Sequence, residues 1–109
     1  MTREEILNMP AGREMDALIV EEIFGFTVDD NFYFPYYSIS IVDAWDIVLQ
    51  MGAKHFRYEI GGGFMGNNRK YAAFDNEMWA DSNPLYKAWA DTAPLAICRA
   101  ALLAVMGAE

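Results

Sequence analysis

Residues 54–62 alternate between two kinds of side chain and then stop on glycine. Phe56, Tyr58 and Ile60 are apolar, while His55, Arg57 and Glu59 between them are polar. That is the period-two pattern of a strand with one buried face. Gly61-Gly62-Gly63-Phe64-Met65-Gly66 follows, then Asn67-Asn68, then a second strand-like run from Arg69 to Asp75. As letters, Gly61 to Gly66 satisfy G-x-G-x-x-G, the fingerprint of a dinucleotide-binding turn. That chemistry needs the glycines to lead into a helix, whose N-terminus holds the pyrophosphate. Here they lead into a turn signal and another strand. The stretch therefore reads as an antiparallel hairpin over residues 54–75, its loop using glycine and asparagine to reach positive φ. Phe64 and Met65 stand at its tip. An apolar pair there is unnecessary for turning the chain, and would serve as a lid over a ligand or a neighbouring subunit.

Helices flank this hairpin. Thr2-Arg3-Glu4-Glu5 is a capping-box pattern for a short helical turn ending before Pro10. Met15, Leu18, Ile19 and Ile23 line one face of a helix over 11–24, stopped by Gly25. Ser38 or Ser40 caps a helix over 41–51, with Ile41, Trp45, Val48 and Leu49 as its buried stripe. Thr92 caps a last helix over 93–106, with Cys98, Ala101, Leu102 and Val105 facing the core. Residues 26–37 form an aromatic loop broken by Asp29-Asp30-Asn31 and Pro35, and Asn83-Pro84 opens a short helical turn. The fold class is α+β: a small antiparallel sheet sandwiched by helices, in one domain over 1–109.

With 109 residues, 54% of them hydrophobic, the chain can bury one core. No apolar run reaches membrane-spanning length, and the acidic start lacks a signal core, so the expectation is a soluble protein of the cytoplasm. The single Cys98 excludes an internal disulfide and reads as a buried, inert thiol. The net charge of −8 is concentrated before residue 47, where ten acids face two bases. This argues against direct binding to a nucleic-acid backbone. The acids serve as a solvated helix surface or as a docking face for a basic partner.

Catalytic and metal-binding residues are not found. His55 and Glu59 share a strand face, but two ligands do not make a metal site, and no serine has a nucleophile-elbow setting. Two groups of ligand contacts remain. Tyr36, Tyr37 and Ser38 lie beside a helix start, where rings could stack a base and amides hold an anion. Arg57, Arg69 and Lys70 are the clustered bases of the hairpin, with Phe64 at its tip. The alternative is that these aromatics complete a small core and the bases offset nearby acids.

Three stretches resemble one family. Gly12-Arg13-Glu14-Met15-Asp16-Ala17-Leu18-Ile19-Val20-Glu21-Glu22-Ile23-Phe24-Gly25, Tyr37-Ser38-Ile39-Ser40-Ile41-Val42-Asp43-Ala44-Trp45 and Asp91-Thr92-Ala93-Pro94-Leu95-Ala96-Ile97-Cys98-Arg99-Ala100-Ala101-Leu102-Leu103 are similar to the opening, middle and closing helices of the phage ABA sandwich domain family. The resemblance covers about residues 10–106. It implies a phage or prophage origin and a sheet flanked by helices, and it brings no established catalytic residues. The expected function is that of a non-catalytic binding protein in the host cytoplasm, without a cofactor, countering antiviral defence by sequestering a nucleotide-like signal. The alternatives are an acidic inhibitor of a host protein, acting through Glu14, Glu21 and Glu22, and an accessory phage protein with no ligand. A homo-oligomer is expected, with Met78, Trp79, Trp89 and Met106 as interface candidates unless core packing accounts for them.

Overall fold

The computed structural model describes residues 1–29, 33–62, 69–75 and 86–106. Helix α1 (Arg3–Asn8) opens on a capping box: the Glu5 amide donates to the Thr2 hydroxyl and the Thr2 amide donates to the Glu5 carboxylate. The backbone hydrogen bond from Thr2 holds the Glu5 carboxyl below its ordinary value. Helix α2 (Arg13–Glu22) buries Met15, Ile19 and Val20. It ends ahead of Gly25, whose φ of 77° turns the chain away. Helix α3 (Ile41–Ala53) is capped by Ser40, whose hydroxyl accepts from the Asp43 amide at 3.3 Å. Helix α4 (Ala93–Met106) follows Thr92, whose hydroxyl accepts from the Leu95 amide at 3.4 Å.

Strand β1 (Arg57–Gly62) pairs antiparallel with β2 (Lys70–Asp75), and β2 pairs antiparallel with β3 (Tyr86–Ala90). The α+β class and the hairpin are as the sequence predicts. The third strand is not: residues 86–90 form no helical turn, while Asn83 and Pro84 lie outside the described residues. Ala88 and Ala90 are buried and Trp89 between them is exposed, a period-two pattern. Two alanines carry little strand preference of their own, so pairing with β2 decides the conformation. His55 also moves from its expected place. It precedes β1 in a turn, at φ 71°, and so does not share a strand face with Glu59.

Helix α4 is the centre of the molecule. It lies on β2 and β3, with α3 beside it toward β1, while α1 and α2 pack on α4 rather than on the sheet. Ala72, Phe74, Ala88 and Ala90 are the sheet residues in the core, which also takes in Ile97, Ala101 and Leu102 of α4. Arg99 ties the start of the chain to this centre. It donates to the carbonyls of Met9 and Trp89, each at 3.0 Å. Among the described residues no helix is long and apolar enough to cross a membrane.

The buried stripe of α3 differs from the expected one. Ala44, Ile47, Val48 and Met51 are buried, whereas Ile41, Trp45 and Leu49 are 50%, 41% and 60% exposed. The helix is apolar around more than half its circumference, so periodicity alone does not choose the arc. The position of α4 does. Tyr58 is likewise exposed, although it lies on the helix side of the sheet, because β1 is an edge strand, where Trp45 meets it edge-on at 5.6 Å.

Candidate functional site

The aromatic loop is fastened to the start of α2. Asp16 is fully buried on the otherwise apolar face of that helix, and its carboxylate accepts from the Ser38 amide at 2.7 Å and from Arg13 at 3.0 Å. Arg13 also donates to the carbonyls of Phe34, at 2.7 Å, and Pro35, at 3.1 Å. Its guanidinium lies over the rings of Phe34 and Tyr36, 4.1 and 4.3 Å from their centroids. The Ser38 hydroxyl accepts from the Gly12 amide and donates to the Gly12 carbonyl. Tyr37 is buried and stacked on Phe24 at 5.3 Å, and burial raises its phenol, with Asp46 next in effect. Tyr36 is half-exposed, but its amide donates to Asp43. The polar groups expected to hold an anion are thus engaged within the fold, and a carboxylate already occupies the start of α3. A cavity of about 130 Å³ bordered by Phe24, Phe26, Tyr33, Phe34 and Tyr37 has no charged residue among the described residues that line it.

The hairpin bases do not converge. Arg57 forms a 2.7 Å ion pair with Asp75, its partner across the strands. Lys70 pairs with Gly62, five positions further along β1, or roughly 17 Å at the rise of a strand. Residue parity places Lys70 on the helix side of the sheet, with Ala72 and Phe74, and Arg57 on the other. Arg69 lies near enough to Arg99 to lower its pKa, after the larger effect of burial. Phe64, with the rest of residues 63–68, lies outside the described residues. Met78 and Trp79 do as well.

The opposite sheet face holds an arrangement that sequence reasoning missed. Tyr71 and Trp89 are cross-strand partners with ring centroids 5.0 Å apart, tilted by 49°. The Lys87 ammonium lies 4.3 Å from the Tyr71 centroid and 5.3 Å from that of Trp89, a distance at which ring faces attract a cation. Gly61 makes this possible. A Cβ there would stand 2.6 Å from Cε1 of Tyr71, so the tyrosine ring lies across β1 only because residue 61 has no side chain. No described helix packs on this face. Trp89 is 38% exposed, and Glu59 and Lys87 flank a buried Ala73. The result is a shelf of two rings edged by a cation whose contacts are ring faces rather than a carboxylate. Only the strand register reveals it.

The described residues include no cluster of three or more His, Cys, Asp or Glu placed to hold a metal. Cys98 is fully buried, and burial raises its thiol well above the ordinary value, with a smaller contribution from Asp16. A protonated, enclosed thiol is a poor nucleophile.

A family model described as the phage ABA sandwich domain matches residues 17–102. The fold is similar to that in a 2.0 Å crystal structure of a phage protein from Bacillus cereus ATCC 14579, with a TM-score of 0.68 and 23% identity over 89% of this chain and 88% of that one. No curated protein matches the chain.

Proposed function

This chain belongs to the phage ABA sandwich domain family, and we propose that it is a non-catalytic phage binding protein that captures a planar, nucleotide-like anion. The captured species is a signal of host antiviral defence. One observation supports this reading: the Lys87 ammonium set over the paired rings of Tyr71 and Trp89, on the sheet face away from the described helices. Aromatic rings accept a base by stacking, whatever its identity, and an adjacent cation accepts a phosphate. The contact residues are therefore Tyr71, Lys87 and Trp89, in place of the tyrosines beside α3.

Native mass spectrometry of freshly purified protein tests retention of such a ligand, and a panel of cyclic nucleotides tests binding by thermal shift. The expected result is a bound nucleotide or a raised melting temperature, weakened roughly tenfold to a hundredfold in affinity by Trp89→Ala. A panel that leaves the melting temperature unchanged, with no ligand retained, overturns the reading.

A second reading, an acidic inhibitor of a host protein, is favoured by a groove of about 320 Å³ lined by Met1, Met9, Glu14, Ala17, Leu18 and Glu21. An apolar floor with acidic walls suits an apolar side chain flanked by bases. Reversing Glu14, Glu21 and Glu22 to lysine would abolish capture of the host protein; capture that survives the reversal excludes this reading.

A further inference from the structure

Turned at about 100° per residue, Ile41, Trp45, Leu49 and Val42 occupy one arc of α3 spanning roughly 100°. That arc points away from α4. Val42 is 76% exposed and Ile39, just before the helix, 61%. Tyr58 stands edge-on against Trp45 and extends the same surface onto β1. With two aromatic rings at the upper end of side-chain size and four aliphatic side chains below them, all between 41% and 76% exposed, these six present on the order of 600 Å² of mostly apolar area. That is the upper end of the largest patch found on a typical monomer.

We propose that this face is the interface of a twofold homodimer. Doubled across a twofold axis, the patch buries on the order of 1,200 Å², the lower bound of a stable specific interface. Its spacing is self-complementary. Ile41, Trp45 and Leu49 follow at intervals of four, so two antiparallel α3 helices crossing at Trp45 set each Ile41 against Leu49 of the partner subunit. The centre of the patch contains no charge, and Asp46 borders it. A chain of net charge −8 repels its own copy at long range, so association with itself strengthens as salt screens that repulsion. A partner recruited by a basic rim would show the reverse dependence. The dimer face lies on the helix side of the sheet and leaves the Tyr71–Trp89 shelf open.

Sedimentation velocity over a wide concentration range provides the test. The expected species has twice the 12.3 kDa mass of one chain and grows in proportion with added salt. Leu49→Asp places a carboxylate in each half of the interface and should raise the half-association concentration by about tenfold or more. Leu49 is 60% exposed, so circular dichroism of this variant should match the parent. A 12.3 kDa species at every concentration overturns the proposal and leaves the face to another protein. A dimer indifferent to Leu49→Asp, or one that dissociates in salt, also overturns it. Loss of nucleotide capture in Trp89→Ala does not bear on the dimer, so the two readings fail separately.

Discussion

Two cations in this molecule each lie over two aromatic rings, and they serve different ends. Arg13 covers Phe34 and Tyr36 at 4.1 and 4.3 Å; Lys87 covers Tyr71 and Trp89 at 4.3 and 5.3 Å. Ring geometry barely separates them. Hydrogen bonding does. Arg13 also spends its donors on two backbone carbonyls and on the buried Asp16, so its rings belong to a rivet that closes the loop onto α2. Lys87 rests on ring faces, on a surface that no described helix covers. An aromatic–cation cluster reads as structure where its polar atoms are already paired, and as a binding surface where they are not.

The sharpest way to break this contrast is Asp16→Ala. It leaves the buried Ser38 amide without its acceptor and takes from Arg13 one of its three acceptors. The expected loss is about 3 kcal/mol of stability, at the low end for a broken buried pair because Arg13 is itself half-exposed. Urea unfolding reads it directly; a loss below about 1 kcal/mol would mean the rivet is ornamental. Gly61→Ala comes next. The new methyl displaces the Tyr71 ring, at an expected cost of about 2 kcal/mol and with a changed near-ultraviolet circular dichroism spectrum. An unchanged spectrum would show that the ring does not need the glycine beneath it.

Lys87→Met should cost no more than about 1 kcal/mol, the scale of an exposed cation–π contact. If it costs as much as Asp16→Ala, the shelf is a second rivet and the contrast disappears. The smallest effect is on pH dependence. Burial keeps the Cys98 thiol protonated in the folded chain well above 9.0, its ordinary value, whereas the unfolded chain ionises from about there. The contribution of the thiol to stability is therefore full below pH 9.0 and is lost as pH rises from that point toward the folded value. Cys98→Ala should flatten that part of the decline.

The helices and the hairpin were legible because caps, glycines and alternation are local signals: Thr2, Ser40, Thr92 and Gly25 act where the sequence places them. The site was not, because its parts meet only through register. Tyr71 and Trp89 are eighteen positions apart and become neighbours when β3 pairs with β2, and β3 itself is too short and too rich in alanine to announce a strand. Asp16 looked like one more surface acid, since nothing near it in sequence foretells Ser38 and Arg13 as partners. On α3, apolar residues cover both the buried and the exposed arcs. Local pattern fixed the helix but not its rotation: of the residues assigned to the core, Val48 is buried while Ile41, Trp45 and Leu49 became the outer face.

The central position of α4 sets an order of events. Helices α1 and α2 pack on it, and the sheet rests against it, yet its residues follow all of theirs in the chain. During synthesis the residues before 93 lack their main packing partner until residues 93–106 leave the ribosome. The bond from Arg99 to the Met9 carbonyl, across 90 positions, can form only then. This topology favours late, nearly simultaneous assembly over growth from the N-terminus. The exposed hydrophobic faces of α2 and α3 wait unshielded in the nascent chain until that helix arrives.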